Sequence, residues 1–156
     1  MTGLMSSEEI IFSKPFANPS GSSSSYGGNP IAATSALATL KIIIDEELVE
    51  NSRVVGEFML GKLMDLKNKY PIIGDVRGKG LMIGVELVKN RETNEKLDKK
   101  YTQMLFKEAL NRGLIMMGYN PDIRINPPLI INKEAAEEGI NIFEESLKIV
   151  SDRINI

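Results

Sequence analysis

Cysteine, histidine and tryptophan are all absent from the 156 residues. Without cysteine there is no disulfide framework, no thiolate nucleophile and no cysteine metal site. Without histidine there is no Ser-His or Cys-His machinery, no histidine general base and no imidazole ligand, so no metal site is expected. Any chemistry must use carboxylates, lysine, tyrosine or a borrowed cofactor. Charge of one sign is also missing: 19 basic and 21 acidic residues leave a formal net charge of -2. No field draws the chain to nucleic acid or to an anionic membrane surface. No apolar run approaches the roughly 20 residues that cross a bilayer. The start, Met1-Thr2-Gly3-Leu4-Met5-Ser6-Ser7-Glu8-Glu9, carries neither a basic n-region nor a signal-peptide core, so a cytoplasmic location is expected.

What is present is the balance of an ordinary globular domain, 42% hydrophobic and 26% charged. A low-complexity stretch, Asn18 to Ser25, divides the chain unequally. The piece before it is too small to fold by itself, and Gly3-Leu4-Met5 reads as a strand whose sheet lies elsewhere. After it, Asn29 is a good N-cap and Pro30 suits a first helical position. The helix predicted from Ile31 to about Glu50 is apolar nearly all round, which implies a covering domain or subunit. A second helix is predicted over Ser52–Lys69, ended by Pro71. Two strands, Ile72–Arg77 and Leu81–Val88, flank a Gly78-Lys79-Gly80 link with the look of a hairpin. A helix over Leu97–Asn111 closes at Gly113. Short strands follow at Leu114–Met117 and Ile123–Asn126, and Asn132 caps a last helix to about Val150. The expected fold class is α+β, a short antiparallel sheet covered by helices on one face.

Three segments carry candidate chemistry. Ser22 to Pro30 runs hydroxyls and glycines into a helix start. It reads either as a phosphate cradle or as a flexible linker, and lacks the GxxxxGK[ST] pattern of a nucleotide loop. Arg124 interrupts a short apolar strand. It reads either as a fork for a substrate carboxylate or as the exposed face of an edge strand, paired with Asp122. The glycine-rich run from Gly74 to Leu87 is structural, with Asp75, Arg77 and Glu86 placed to pair across the hairpin. It is no GxGxxG fingerprint, because no strand-loop-helix pattern surrounds it. Met104, Met116 and Met117 read as core filling.

Together these segments resemble one family. Ser24-Ser25-Tyr26-Gly27-Gly28-Asn29-Pro30-Ile31-Ala32 is similar to the (S/T)-(F/Y)-G-G-N-P motif of class III pyridoxal-phosphate-dependent aminotransferases. Gly74 to Leu87 resembles its G-D-V-R-G-x-G-L-M signature, and Arg124-Ile125-Asn126-Pro127-Pro128-Leu129 resembles its R-hydrophobic-x-P-P-L motif. All three fall in the family's order. The resemblance, which takes in the 4-aminobutyrate, acetylornithine and ornithine aminotransferases, implies the C-terminal portion of a fold-type I enzyme. Residues 1–30 would be a remnant of the large cofactor-binding domain with its serine-rich phosphate loop. Residues 31–156 would be the long interdomain helix and the small C-terminal α+β domain.

The resemblance also implies roles. Ser24 and Ser25 would reach the phosphate of pyridoxal phosphate held by the partner subunit of a dimer, and Arg124 would bind the substrate carboxylate. The substrates would be an amino acid and a 2-oxo acid. Ser25 replaces the usual threonine, and Ser22 and Ser23 replace a usual His-Gly. The family's cofactor-bonding lysine falls upstream, Met1–Ile10 resembling the segment just after it. None of the thirteen lysines stands in a matching context, so no catalytic residue is expected here and the chain is expected to be inactive alone. It would pair with a copy of itself or with a separate N-terminal half. The competing expectation is a non-catalytic, self-associating binding or regulatory module.

Overall fold

A computed structural model describes residues 6–14, 25–118 and 120–154. By internal contacts the chain forms two compact units, Met1–Glu46 and Glu47–Ile156. Ser24 lies outside the described residues.

In the first unit a single turn of helix, α1 (Glu8–Ile11), precedes the 16-residue α2 (Pro30–Asp45). The predicted cap is present: Asn29 Oδ1 accepts from the Ala32 N–H at 2.9 Å, and Pro30 occupies the first turn, where its missing N–H costs nothing. No residue of α2 is buried, and Ile31, Leu37 and Ile44 are each at least 70% exposed.

The predicted continuation of this helix to Glu50 does not occur. Glu47 takes a left-handed backbone conformation (φ 50°), and α3 (Leu48–Lys69) starts after it. Then come β1 (Ile73–Lys79), β2 (Met82–Asn90), β3 (Glu95–Lys96), α4 (Lys99–Asn111), β4 (Asp122–Ile125) and α5 (Lys133–Ile154). Both β1 and β2 run further than the sequence predicts, leaving a two-residue turn at Gly80-Leu81. Gly80 has φ +56°, the positive value that the first central position of such turns needs. The turn is seated on α3. The Leu81 N–H donates to Ser52 Oγ at 3.2 Å, and a Cβ at Gly56 would stand only 2.6 Å from Gly80 Cα.

The central strand is β2. It pairs antiparallel with β1 along one edge and, at Ile83–Glu86, with β4 along the other, while β3 pairs with Val88 and Asn90. Successive strand residues alternate faces. Ile83, Val85 and Leu87 of β2, Val76 of β1 and Ile123 of β4 turn inward. They meet Met59 and Leu63 of α3, Leu105 of α4, and Ile140, Phe143 and Leu147 of α5 in one core. The result is the expected α+β unit, a small antiparallel sheet with helices on one face.

Two more predicted caps hold. Asn132 Oδ1 accepts from the Ala135 N–H at 2.9 Å. After α4 the Leu114 N–H bonds Ala109 O and the Gly113 N–H bonds Leu110 O, with Gly113 at φ +96°, a Schellman closure. The strand predicted at Leu114–Met117 does not form. The segment keeps the in-out alternation, with Met116 packed on the core and Ile115 82% exposed, but it pairs with no strand among the described residues. Alternation reports which side is wet, not whether a neighbour is available, and β4 takes the free edge of β2. Met104 also packs on the core, whereas Met117 is 40% exposed and is not core filling. No helix among the described residues is long and apolar enough to cross a membrane.

Candidate functional site: the open face of the sheet

The face of the sheet turned away from the helices carries charge. Its rows follow from the strand register: Asp75 opposite Glu86 opposite Asp122, and Arg77 opposite Gly84 opposite Arg124. Arg77 Nη1 contacts Asp75 Oδ2 at 2.8 Å and Glu86 Oε1 at 2.5 Å, the cross-hairpin pairing expected from sequence. Lys96, brought in by β3, contacts Glu86 Oε2 at 2.7 Å and Asp122 Oδ1 at 2.6 Å. From α3, Lys67 reaches Asp75 Oδ1 at 3.1 Å.

These contacts set the protonation states. The Arg77 and Lys67 hydrogen bonds hold the Asp75 carboxyl below its ordinary range. Those from Lys96 and then Arg77 do the same for Glu86. Asp122 and then Glu86 push the Lys96 ammonium up. Asp75 and Glu86 therefore stay ionised, and together with Asp122 they engage Lys67, Arg77 and Lys96.

Arg124 stands outside this network. It is exposed on the outward row of β4, with Ile123 buried on the other side, as the alternation predicts. Asp122, its partner on the edge-strand reading of the sequence, is taken by Lys96 instead, and Arg124 meets no carboxylate among the described residues. It lines a shallow concavity with Arg77, Gly78, Met82, Gly84 and Glu86. A guanidinium with five donors and no acid beside it is equipped to take a carboxylate from outside. Nothing in the sequence shows that Lys96 and Gly84 share this face, because only the strand register brings them to it.

Ser25 lies in the first unit, immediately before the turn Tyr26–Asn29. Asn29 Nδ2 donates to Tyr26 O at 2.8 Å, and Gly28 has the positive φ (+73°) that the turn requires. Ser25 is exposed, and its hydroxyl has no partner among the described residues. A free hydroxyl close before a helix start fits a phosphate oxygen. None of the thirteen lysines is buried. Several are tied up in ion pairs: Lys62 with Glu137, Lys69 with Glu144, and Lys89 with Glu95 and Asp98.

The helix-backed antiparallel sheet, with an arginine on its open face that meets no carboxylate among the described residues, defines a small α+β domain. Comparison with known proteins narrows that class. The profile of the family described as Aminotransferase class-III matches residues 2–147, and the chain belongs to that family. It is 46% identical over 123 residues to an alanine/serine racemase of Pyrococcus horikoshii, covering 77% of this chain and 25% of that protein. Over 131 residues it is 40% identical to an acetylornithine aminotransferase of Clostridium acetobutylicum, covering 83% and 31%. An amine transaminase from an uncultivated Pseudomonas species, solved with PLP bound, superposes with a TM-score of 0.80 at 30% identity, over 90% of this chain and 32% of that one. The chain thus spans about a quarter to a third of the length of the relatives it matches. Its fold is that of the C-terminal portion of fold-type I transaminases.

Proposed function

We propose that this chain is the C-terminal part of a pyridoxal-phosphate-dependent enzyme that transfers the amino group of an amino acid to a 2-oxo acid. The observation that carries this is the Arg124 guanidinium on the open sheet face, which meets no carboxylate among the described residues and lies within the stretch that the family's profile matches. Arg124 grips the α-carboxylate of the 2-oxo acid, and of the amino acid it becomes, and so fixes where their α-carbon lies. Ser24 and Ser25 donate to the cofactor phosphate across a dimer interface. The bound cofactor supplies the electron sink for chemistry at the α-carbon. The lysine that bonds it comes from outside this chain. That reading is supported by the lysines themselves: none is buried, Lys62, Lys67, Lys69, Lys89 and Lys96 are engaged by carboxylates, and none has the apolar burial that activates a lysine as a nucleophile. The donor is an amino acid with a distal amine, such as 4-aminobutyrate or ornithine.

A second reading, amino-acid racemisation, is favoured by the 46% identity to an alanine/serine racemase. Both reactions need the carboxylate held while the α-proton moves, so Arg124 serves either. The test is co-expression with a chain carrying the upstream portion of a class III aminotransferase. Glutamate formed only when 2-oxoglutarate and an amino donor are both supplied supports transfer. D-alanine formed from L-alanine without a 2-oxo acid supports racemisation. Turnover of neither kind, with any donor tried, would leave a non-catalytic, self-associating module.

A further inference from the structure

The hairpin of β1 and β2 contains four glycines, and three have a structural reason. A Cβ at Gly74 would collide with Val88, one at Gly78 with the Met82 carbonyl, and Gly80 has both a positive φ and Ser52 against it. Gly84 has no such reason. Its φ is not positive, and a Cβ there would meet nothing nearer than the Arg77 carbonyl oxygen at 3.9 Å. A glycine inside a central strand weakens it, and commonly marks a place where a ligand or another backbone comes close.

The position is informative. Gly84 is the middle member of the row Arg77–Gly84–Arg124, so the missing side chain opens a slot between two arginines about 10 Å apart, two strand spacings. The acids bordering it, Asp75, Glu86 and Asp122, are already held by Arg77, Lys67 and Lys96. Two cations lining this concavity, Arg124 beside Gly84 and Lys79 at the hairpin end, meet no acid among the described residues, and of the two only Arg124 lies in the row of Gly84. We infer that Gly84 is the residue that admits the substrate: its bare backbone leaves room for a small carboxylate to lie flat on β2 while Arg124 holds it. This rests on the assignment of Arg124 to the carboxylate and adds a steric element to it. Side chains at position 84 would exclude the ligand without disturbing the fold. Gly84 is thus a specificity residue, selecting substrates whose carboxylate end is slim.

The test is a titration of the nitrogen-15-labelled chain with 2-oxoglutarate, followed by backbone amide shifts, on the wild type and on Gly84→Ala, Gly84→Val and Arg124→Gln. The wild type should show saturable shifts centred on β2 and β4, and Arg124→Gln should lose them. Gly84→Val should keep the wild-type spectrum elsewhere and weaken binding about tenfold or more, the range a small steric change in a shaped site produces. Gly84→Ala should fall between, and it keeps the test sound should valine perturb the strand. If the wild type binds through Arg124 and both Gly84 variants bind equally well, the slot is wrong while the arginine assignment stands. Should the wild type show no binding, or Arg124→Gln bind as well as the wild type, the arginine assignment fails and the slot with it.

Discussion

Replacing Gly56 by alanine adds one methyl group at the point where α3 touches the hairpin turn. That carbon would stand 2.6 Å from Gly80 Cα and closer still to the Gly80 carbonyl, where carbon atoms at rest keep about 3.5–4.0 Å. Both partners are backbone, so no flexible side chain can yield, and helix and turn must separate by about an ångström. Separation strains the Leu81 N–H to Ser52 Oγ bond and loosens Leu81, which is 4% exposed. Overpacking of this kind costs about 1–3 kcal/mol, and the hydrogen bond contributes about 1 kcal/mol more. Against this, alanine is the better helix former by about 1 kcal/mol. The net expectation is a loss of about 2 kcal/mol, a fall in Tm of about 10 °C for a unit of this size. Gly61 provides the internal control. It lies in the same helix with nothing within 4 Å of its would-be Cβ, so Gly61→Ala should gain up to about 1 kcal/mol. Thermal melts by circular dichroism and urea titrations read both variants. Equal stability for the two would refute the reasoning from close approach.

Three further outcomes follow from the same contacts. Arg91 donates to Ile73 O at 2.9 Å, to Tyr70 O at 2.8 Å and to Lys67 O, tying β2 to the end of α3. Arg91→Ala should therefore cost about 1–2 kcal/mol in urea unfolding, with lysine restoring only part because it lacks the fork. Because the folded-state pKa values of Asp75 and Glu86 are depressed, their contribution is present above the ordinary carboxylate pKa near 4 and is lost as pH falls through the folded values. Stability measured from about pH 5 downward should fall, and Asp75→Asn with Glu86→Gln should flatten that limb. A wild-type acid limb retained by the double variant would contradict it. Finally, Arg124→Gln should change stability by no more than about 0.5 kcal/mol, as expected of an exposed residue away from the ion-pair network; a larger loss would reveal a structural role.

Much of the fold is readable because short-range chemistry writes it. Asn29, Asn132 and Gly113 announce helix ends by side-chain or backbone geometry that needs no tertiary context. Alternation places Ile123 inside and Arg124 outside. What fails depends on distant partners. Glu46-Glu47-Leu48 contains no breaker, so the end of α2 at Asp45 is invisible. Leu114–Met117 has a strand's period and no strand beside it among the described residues. Asp122 matches Arg124, its neighbour in sequence, although a lysine 26 residues away takes it. The order of three motifs makes the family legible. The pairing that frees Arg124, and the bare position opposite it, require the strand register.

The central claim is that this chain supplies the carboxylate and phosphate contacts of a site whose cofactor-bonding lysine lies elsewhere. Incubation of the purified chain with pyridoxal phosphate, borohydride reduction and peptide mapping tests this directly. Label should spread thinly over the exposed lysines, with none modified stoichiometrically. A single lysine trapped in full would contradict the claim and would make this chain catalytic in its own right.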